Sequence, residues 1–202
     1  RLLATAEAYS VDVAIAINKA DLLDADDYDA ALEMARMYES IGYKTYITSV
    51  LQDRGLDCLA GDLKNKVTLL AGNSGVGKSA LLNRLVPTAN ARTSSISAAH
   101  LAGMHTTTFS AMYDLPGGGA LIDIPGVKGF GTFNFEKEEV SHYFREIFKV
   151  GRGCRFDNCI HVNEPGCAVL EAVKNGEIAL SRYNSYLNML DDKEEGKYRS
   201  GY

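Results

Sequence analysis

Two kinds of apolar pattern succeed one another along this chain, and the change falls near residue 130. In the first part, short apolar runs are interleaved with helically spaced ones. Residues 11–17 and 67–71 are runs of strand length rich in Val, Ile, Leu and Ala, and the first has the profile of a parallel strand buried on both faces. Residues 43–48 read as a further strand. Leu2, Leu3, Ala6 and Tyr9 share one helical face at the start. Tyr28, Ala31, Leu32, Ala35 and Tyr38 share another, on a helix opened by Asp24, Asp26 and Asp27 and closed by Gly42. Helices are also expected over 56–63 and 80–85, the latter stopped by Pro87. Residues 88–103 are small, polar and aperiodic, which predicts a mobile loop. Strands over 109–113 and 120–123 flank Pro116-Gly117-Gly118-Gly119, a hairpin turn. This alternation predicts an α/β fold whose ligands sit at the C-terminal ends of its strands.

Beyond residue 131 the pattern is helical only. Val140, Tyr143, Phe144, Ile147 and Phe148 form one apolar face, and Leu180, Tyr183, Leu187 and Leu190 form another on a helix over 177–190. The charged tail after Asp191 is expected to fray. The division expected is therefore a domain over 1–131 and a small helical one over 132–202.

Composition narrows the class. The 202 residues are 46% hydrophobic and 23% charged, as in one globular domain with a small appendage. No run approaches the ~18 apolar residues of a membrane span, and no secretory signal opens the stretch. The expectation is a cytoplasmic monomer without membrane contact. A net charge of −5 argues against a broad electrostatic footprint for nucleic acid. The first residue is Arg1 rather than Met, so an upstream region is expected to be missing.

The chemistry concentrates in four short motifs. Gly72-Asn73-Ser74-Gly75-Val76-Gly77-Lys78-Ser79 reads G-x-x-x-x-G-K-S, after an apolar strand and before the helix that opens with Ala80. Strand, glycine loop and helix are the context of a phosphate-binding loop, with backbone N–H groups and a helix N-terminus turned toward the anion. Lys78 would reach the β- and γ-phosphates of a nucleotide while the Ser79 hydroxyl ligates Mg²⁺. The bland alternative is a tight turn with a surface lysine. Asn18-Lys19-Ala20-Asp21 follows the first apolar run. A carboxylate at Asp21 accepts from guanine N1–H and its exocyclic amine, which adenine does not offer. Asn18 would tether neighbouring loops, the Lys19 stem would pack on the ring, and Ser49 closes the next strand. Asp123-Ile124-Pro125-Gly126 ends another strand, with Asp123 a second Mg²⁺ ligand and the Gly126 N–H free to meet a γ-phosphate. Singly, Asn-Lys-x-Asp is also a capping turn and Asp-x-Pro-Gly an ordinary loop; together with the phosphate loop they define one guanine-nucleotide site. Finally, Cys154, Cys159, His161 and Cys167 offer three thiolates and one imidazole, a complete tetrahedral set for one structural Zn²⁺. Buried cysteines beside a stray histidine are the alternative there. Cys58 lies outside that spacing and reads as a small core residue.

The order of these motifs is itself informative. Ordinary GTPases run phosphate loop first and Asn-Lys-x-Asp fourth, whereas here the guanine loop leads. The chain therefore looks like a circularly permuted P-loop GTPase. Gly-Met-His-Thr-Thr-Thr at 103–108, the run 123–131 and C-x₄-C-x-H-x₅-C together resemble the ribosome small-subunit-dependent GTPase A (RsgA, or YjeQ) family. The resemblance implies hydrolysis of GTP to GDP during late assembly of the 30S ribosomal subunit, stimulated by that subunit, with contact to its 16S rRNA. It also implies an N-terminal OB-fold and a strand ahead of the first helix, neither of which this stretch contains, so rRNA contact is expected to be weakened. On the same ground Thr107, flanked by Thr106 and Thr108, becomes the switch threonine that closes the Mg²⁺ shell. Val127 stands where many GTPases carry a water-orienting glutamine, which leaves His105 as the candidate for that role beside Lys78; a packing role for His105 weighs equally. Two other readings stay open: an ATP-hydrolysing enzyme, and a non-catalytic zinc-containing RNA-binding scaffold with a structural guanine nucleotide.

Overall fold

The structure, a computed structural model, describes residues 1–89, 91, 110–124 and 135–195, the last four by backbone alone. The chain divides into two compact units, one of residues 14–128 and one of residues 1–13 with 129–202. Helix α1 (Leu2–Ala8) thus belongs to the second unit.

In the first unit, β1 (Ala14–Ile17) pairs in parallel with β2 (Lys44–Ile47) across α2 (Ala25–Ile41). Local chemistry sets the limits of α2. Asp24 caps it by accepting from the Asp27 N–H at 2.9 Å, two further carboxylates fill the first turn, and Gly42 closes it at φ 100°. Its face is the expected one, with Ala31 and Ala35 buried. Strand β1 differs from expectation. It is shorter, Ala14 and Ala16 are exposed, and among the described residues β2 is its one hydrogen-bonded neighbour.

A second sheet of the same unit has the order β3-β5-β4. Helix α3 (Leu56–Leu63) leads into β3 (Lys66–Leu70), and α4 (Lys78–Leu85) follows it. Strands β4 (Ala111–Asp114) and β5 (Gly119–Asp123) form the expected hairpin, closed by Leu115 N–H to Gly119 O at 2.9 Å. Gly119 stands at φ 90° so close to β3 that a Cβ would lie 2.3 Å from Lys66 O, so no other residue fits. Because β5 runs parallel to β3, Asp123 lies level with Leu70, at the mouth of the glycine loop. Leu56, Leu59 and Leu63 of α3 and Leu81, Leu82 and Leu85 of α4 share one core with Leu121. That core anchors both helices to one face of the sheet.

The second unit is helical among its described residues. Here the periodicity of 140–148 is broken in two: α5 (Lys137–Val140) runs into a 3-10 turn (Ser141–Tyr143), then α6 (Arg145–Gly151). Phe144 is extended between them (φ −116°, ψ 97°), so Val140, Phe144 and Ile147 are buried while Phe148 is 39% exposed. Helix α7 (Ala168–Lys174) was not foreseen, since Cys167 reads as a ligand rather than a helix start; its sulfur also accepts from Leu170 N–H. Helix α8 (Leu180–Glu195) starts later than expected and continues past Asp191. Its buried apolar side chains are Tyr183, Tyr186 and Leu190, whereas Leu180 is 62% exposed. In α1 the buried residues are Ala4 and Thr5, not the larger Leu2 and Tyr9, because small side chains admit close helix approach. Arg182 of α8 is buried with Glu146 of α6 in a two-point ion pair at 2.6 and 3.1 Å.

Candidate functional site

The glycine loop leaves β3 and enters α4 through three left-handed or near-extended glycines, Gly72 (φ 154°), Gly75 (φ 82°) and Gly77 (φ 96°). Asn73, Ser74 and Val76 lie on its exposed rim, and Lys78, Ser79 and Ala80 form the half-buried first turn of α4. Among the described residues, the N–H groups of 73–79 meet no acceptor of good geometry, so they remain available to an anion. Lys78 folds over the loop and donates from Nζ to Gly72 O and Asn73 O, both at 2.8 Å. A phosphate entering the loop would offer that ammonium stronger acceptors than two neutral carbonyls.

The guanine loop comes from the other sheet. Lys19 adopts φ 67°, and the 3-10 turn Ala20–Leu22 carries Asp21. The loop is held to the residue that follows β2 by Thr48 N–H to Ile17 O at 2.9 Å and Ala20 N–H to Thr48 O at 3.0 Å. Ser49, fully buried, donates its hydroxyl to the Asp21 carboxylate. Asn18 does two things at once. Its Oδ1 accepts from the Thr48 hydroxyl at 3.0 Å, and its Nδ2 donates to Val76 O of the glycine loop at 2.9 Å, 58 residues away. A Cβ at Gly77 would fall 2.4 Å from that Nδ2 and 3.8 Å from the Lys19 stem, so the two loops interlock at a glycine. Contacts thus bring Asn18, Lys19, Asp21 and Ser49 together with the glycine loop, and Asp123 lies at the strand end level with Leu70. His105, Thr106, Thr107, Thr108, Gly126 and Val127 lie outside the described residues.

Thr48 is a residue that sequence reading passed over. Its signal is a buried threonine at a strand end directly before Ser49, where an apolar residue would otherwise continue the strand.

In the second unit Cys154, Cys159, His161 and Cys167 present ligand atoms all within 4.8 Å of one another. Cys154 Sγ and Cys167 Sγ are each 3.5 Å from His161 Nδ1, and the two sulfurs are 3.8 Å apart. Tetrahedral Zn²⁺ with its usual bond lengths requires about 3.8 Å between sulfurs and about 3.5 Å between sulfur and nitrogen. The residues therefore fit the ion. Burial pushes the Cys159 thiol up to about 12 and raises Cys167 as well, so a divalent cation is what would make them thiolates. Burial holds His161 below its ordinary value, leaving the neutral imidazole a metal needs. Four protein ligands leave no place for water, and the site is structural in character.

Groups around the ligands orient them. Tyr183 donates its hydroxyl to His161 O at 2.7 Å. Glu164 accepts from the N–H groups of Ile160, Val162 and Asn163 at 2.7, 2.9 and 3.0 Å, which folds the turn between His161 and Cys167. Gly151 lets the imidazole approach, since a Cβ there would lie 3.1 Å from both Cε1 and Nε2. None of these three was foreseen: Tyr183 and Gly151 reach His161 from helices distant in sequence, whereas Glu164 acts within four residues but on main-chain N–H groups.

Comparisons with known proteins converge on one family. A family model described as RsgA GTPase matches residues 1–133. A "Small ribosomal subunit biogenesis GTPase RsgA" from Bacteroides fragilis is 53% identical over all 202 residues, and one from Phocaeicola vulgatus is 54% identical. The chain spans 65% of the length of each of these relatives. Among solved structures, YjeQ from Thermotoga maritima aligns with a TM-score of 0.77 at 37% identity, over 95% of this chain and 63% of that one. YloQ, described as a circularly permuted GTPase, aligns with the same TM-score at 29% identity, over 98% and 62%.

Proposed function

The chain belongs to the RsgA GTPase family, and from that premise we propose that it hydrolyses GTP as an assembly factor of the small ribosomal subunit. The observation that carries the nucleotide reading is the Asn18 Nδ2 to Val76 O hydrogen bond, which brings a guanine-selecting loop and a phosphate loop to one site. Asp21, oriented by Ser49, accepts from the guanine edge, and the Lys19 stem covers the ring face. The backbone N–H groups of 73–79 and Lys78 hold the phosphates, and Lys78 exchanges its two carbonyl partners for phosphate oxygens. Ser79 and Asp123 are the residues here that would hold Mg²⁺, with Thr107 a third ligand by family resemblance. When bound, that ion neutralises charge on the β- and γ-phosphates.

Water attacks the γ-phosphorus in line, breaking its bond to the β–γ bridging oxygen. Lys78 and the loop N–H groups stabilise the charge that builds there. His105 is assigned the orientation of that water, since Val127 has no polar group, and Gly126 offers its N–H to the γ-phosphate. Turnover of the isolated chain is slow, because an apolar Val127 leaves water poorly positioned. The family's small-subunit partner supplies the missing order, and relatives named for small-subunit biogenesis support that assignment. The protein works in the cytoplasm, where ribosomes are built; no helix among the described residues is long and apolar enough to cross a membrane. The Cys₃His set would hold one structural Zn²⁺.

Single-turnover hydrolysis of GTP and of ATP, with and without 30S subunits, tests the proposal. GTP hydrolysis accelerated by 30S subunits and abolished by Lys78→Ala is the expected result. Equal use of ATP, or turnover indifferent to both the subunit and Lys78, would overturn it.

A further inference from the structure

A second tie between the base-reading and phosphate-reading parts lies outside every motif. The turn of residues 49–54 carries Ser49, the hydroxyl that holds the Asp21 carboxylate. It is closed by Ser49 N–H to Arg54 O at 3.1 Å, by Arg54 N–H to Ser49 O at 2.9 Å, and by Gln52 N–H to Ser49 Oγ at 3.1 Å. Asp53 projects from this turn at φ 54°. Its Oδ1 accepts from Arg84 Nε at 2.9 Å and its Oδ2 from Nη2 at 2.7 Å, with Nη2 also 2.6 Å from Oδ1, a two-point pair. Arg84 stands in the last turn of α4, the helix whose first turn carries Lys78 and Ser79. On the other flank, Arg54 donates to the Tyr28 hydroxyl of α2 and lies 4.6 Å over its ring. The turn is thus gripped from α4 on one side and α2 on the other.

We propose that Asp53 and Arg84 are positioning residues for guanine selection: their pairing registers the Ser49 turn, and through it the Asp21 carboxylate, against the helix that binds the phosphates. The inference rests on the guanine-nucleotide reading above. To select guanine, Asp21 must offer one oxygen to N1–H and the other to the exocyclic amine at the same time. That demand is sensitive to displacements well under 1 Å. The Asp53–Arg84 pair is about half exposed (side chains 61% and 46%), so its contribution to folding stability is small. What a two-point pair adds is orientation. Its loss accordingly shows in base discrimination, not in the melting point.

The test is displacement of a fluorescent GDP analogue by GDP and by IDP, which keeps N1–H and lacks the exocyclic amine. It is applied to the wild-type chain and to Arg84→Met, Asp53→Asn, the double variant and Arg84→Lys, with thermal midpoints as a check on folding. Either single change is expected to weaken GDP by about two- to fivefold, with IDP affected less, so the GDP/IDP ratio narrows. The double variant is expected to be no worse than the singles. Arg84→Lys should recover only part of the ratio, since an ammonium has no fork. Equal losses for GDP and IDP, an unchanged ratio, or additive single effects would overturn the inference while leaving the guanine reading intact. A wild-type chain that binds GDP and IDP equally would overturn the guanine reading, and this inference with it.

Discussion

The two units present binding groups by opposite means. Residues 14–128 offer main chain: the N–H groups of a glycine loop on an exposed rim, steadied by Asn18 from a neighbouring loop. Residues 129–202 offer side chains, three sulfurs and a buried imidazole within 4.8 Å of one another, with Cys154, Cys167 and His161 already at tetrahedral separations. A main-chain cradle depends on conformation, so glycines at φ 82° and 96° matter more there than any one functional group. A side-chain cage depends on each member, because removing one leaves the others buried without a partner. The cores differ in the same sense. The first rests on leucines from two helices against a sheet, whereas the second packs aromatic and aliphatic groups such as Phe144, Ile147 and Tyr186 beside an ion pair and the Cys₃His cluster.

That contrast breaks at different places when challenged. The largest effect belongs to the metal: Cys167→Ser, or chelation, should unfold helices α6, α7 and α8, since structural Zn²⁺ contributes on the order of 10 kcal/mol in small domains. Far-UV circular dichroism with a zinc-release assay measures it, and GDP affinity of the first unit should be retained. Helices that keep their hydrogen-exchange protection without metal would show that the second unit does not depend on its cage.

Next comes the buried pair in the same unit. Arg182→Ala strands Glu146 at 9% exposure and removes a guanidinium 4.8 Å over the Phe144 ring. A loss of about 3–5 kcal/mol in urea unfolding is expected. A loss near zero would mean that Glu146 finds water.

A smaller effect should follow from Gly77→Ala in the first unit, where a Cβ would stand 2.4 Å from Asn18 Nδ2 at φ 96°. Strain of about 1–3 kcal/mol is expected to appear as a roughly 10- to 100-fold weaker affinity for GDP, by titration calorimetry. Gly61→Ala, with open space and an ordinary helical backbone, should leave affinity unchanged and serves as the control.

The smallest effect is a pH dependence. Burial, and then the hydrogen bond to Asp62, push the Tyr46 hydroxyl up to about 12. A phenol whose folded value is raised stabilises the fold fully below its unfolded value of 10.0, and that contribution is lost as pH rises through about 12. The first unit should therefore lose stability between those limits, and Tyr46→Phe should flatten that part of the profile. Its partner Asp62 is lowered by the same hydrogen bond and by Lys44, so its contribution is present above the ordinary carboxylate range and fades as pH falls through its folded value. Identical profiles for the wild type and Tyr46→Phe would remove Tyr46 as the cause.

Much of the first unit was legible because its signals are local. The Asp24 cap and Gly42 closure of α2, the Pro116–Gly119 turn and the glycine loop all act within a few residues, where spacing equals proximity. The Cys₃His set was legible for the same reason, since its four ligands lie within fourteen residues. Where reading by period failed, the cause was packing. Phe144 adopts an extended backbone and splits an apparently continuous helix, and Tyr186 rather than Leu180 turns inward on α8. A 3.6-residue period says that one face is apolar but not which neighbour it meets.

What the residues by themselves determined, then, is the inventory: an α/β order with Asn-Lys-x-Asp ahead of the glycine loop, and three cysteines and a histidine at a spacing that fits zinc. Only the tertiary structure decided that Asn18 reaches Val76 and that Arg84 grips Asp53. It likewise placed residues 1–13 with the C-terminal helices. The reason is physical. A cap, a turn or a ligand spacing is satisfied within the few residues that carry it, whereas a contact across 31 or 58 positions exists only after cores elsewhere have brought the backbones together.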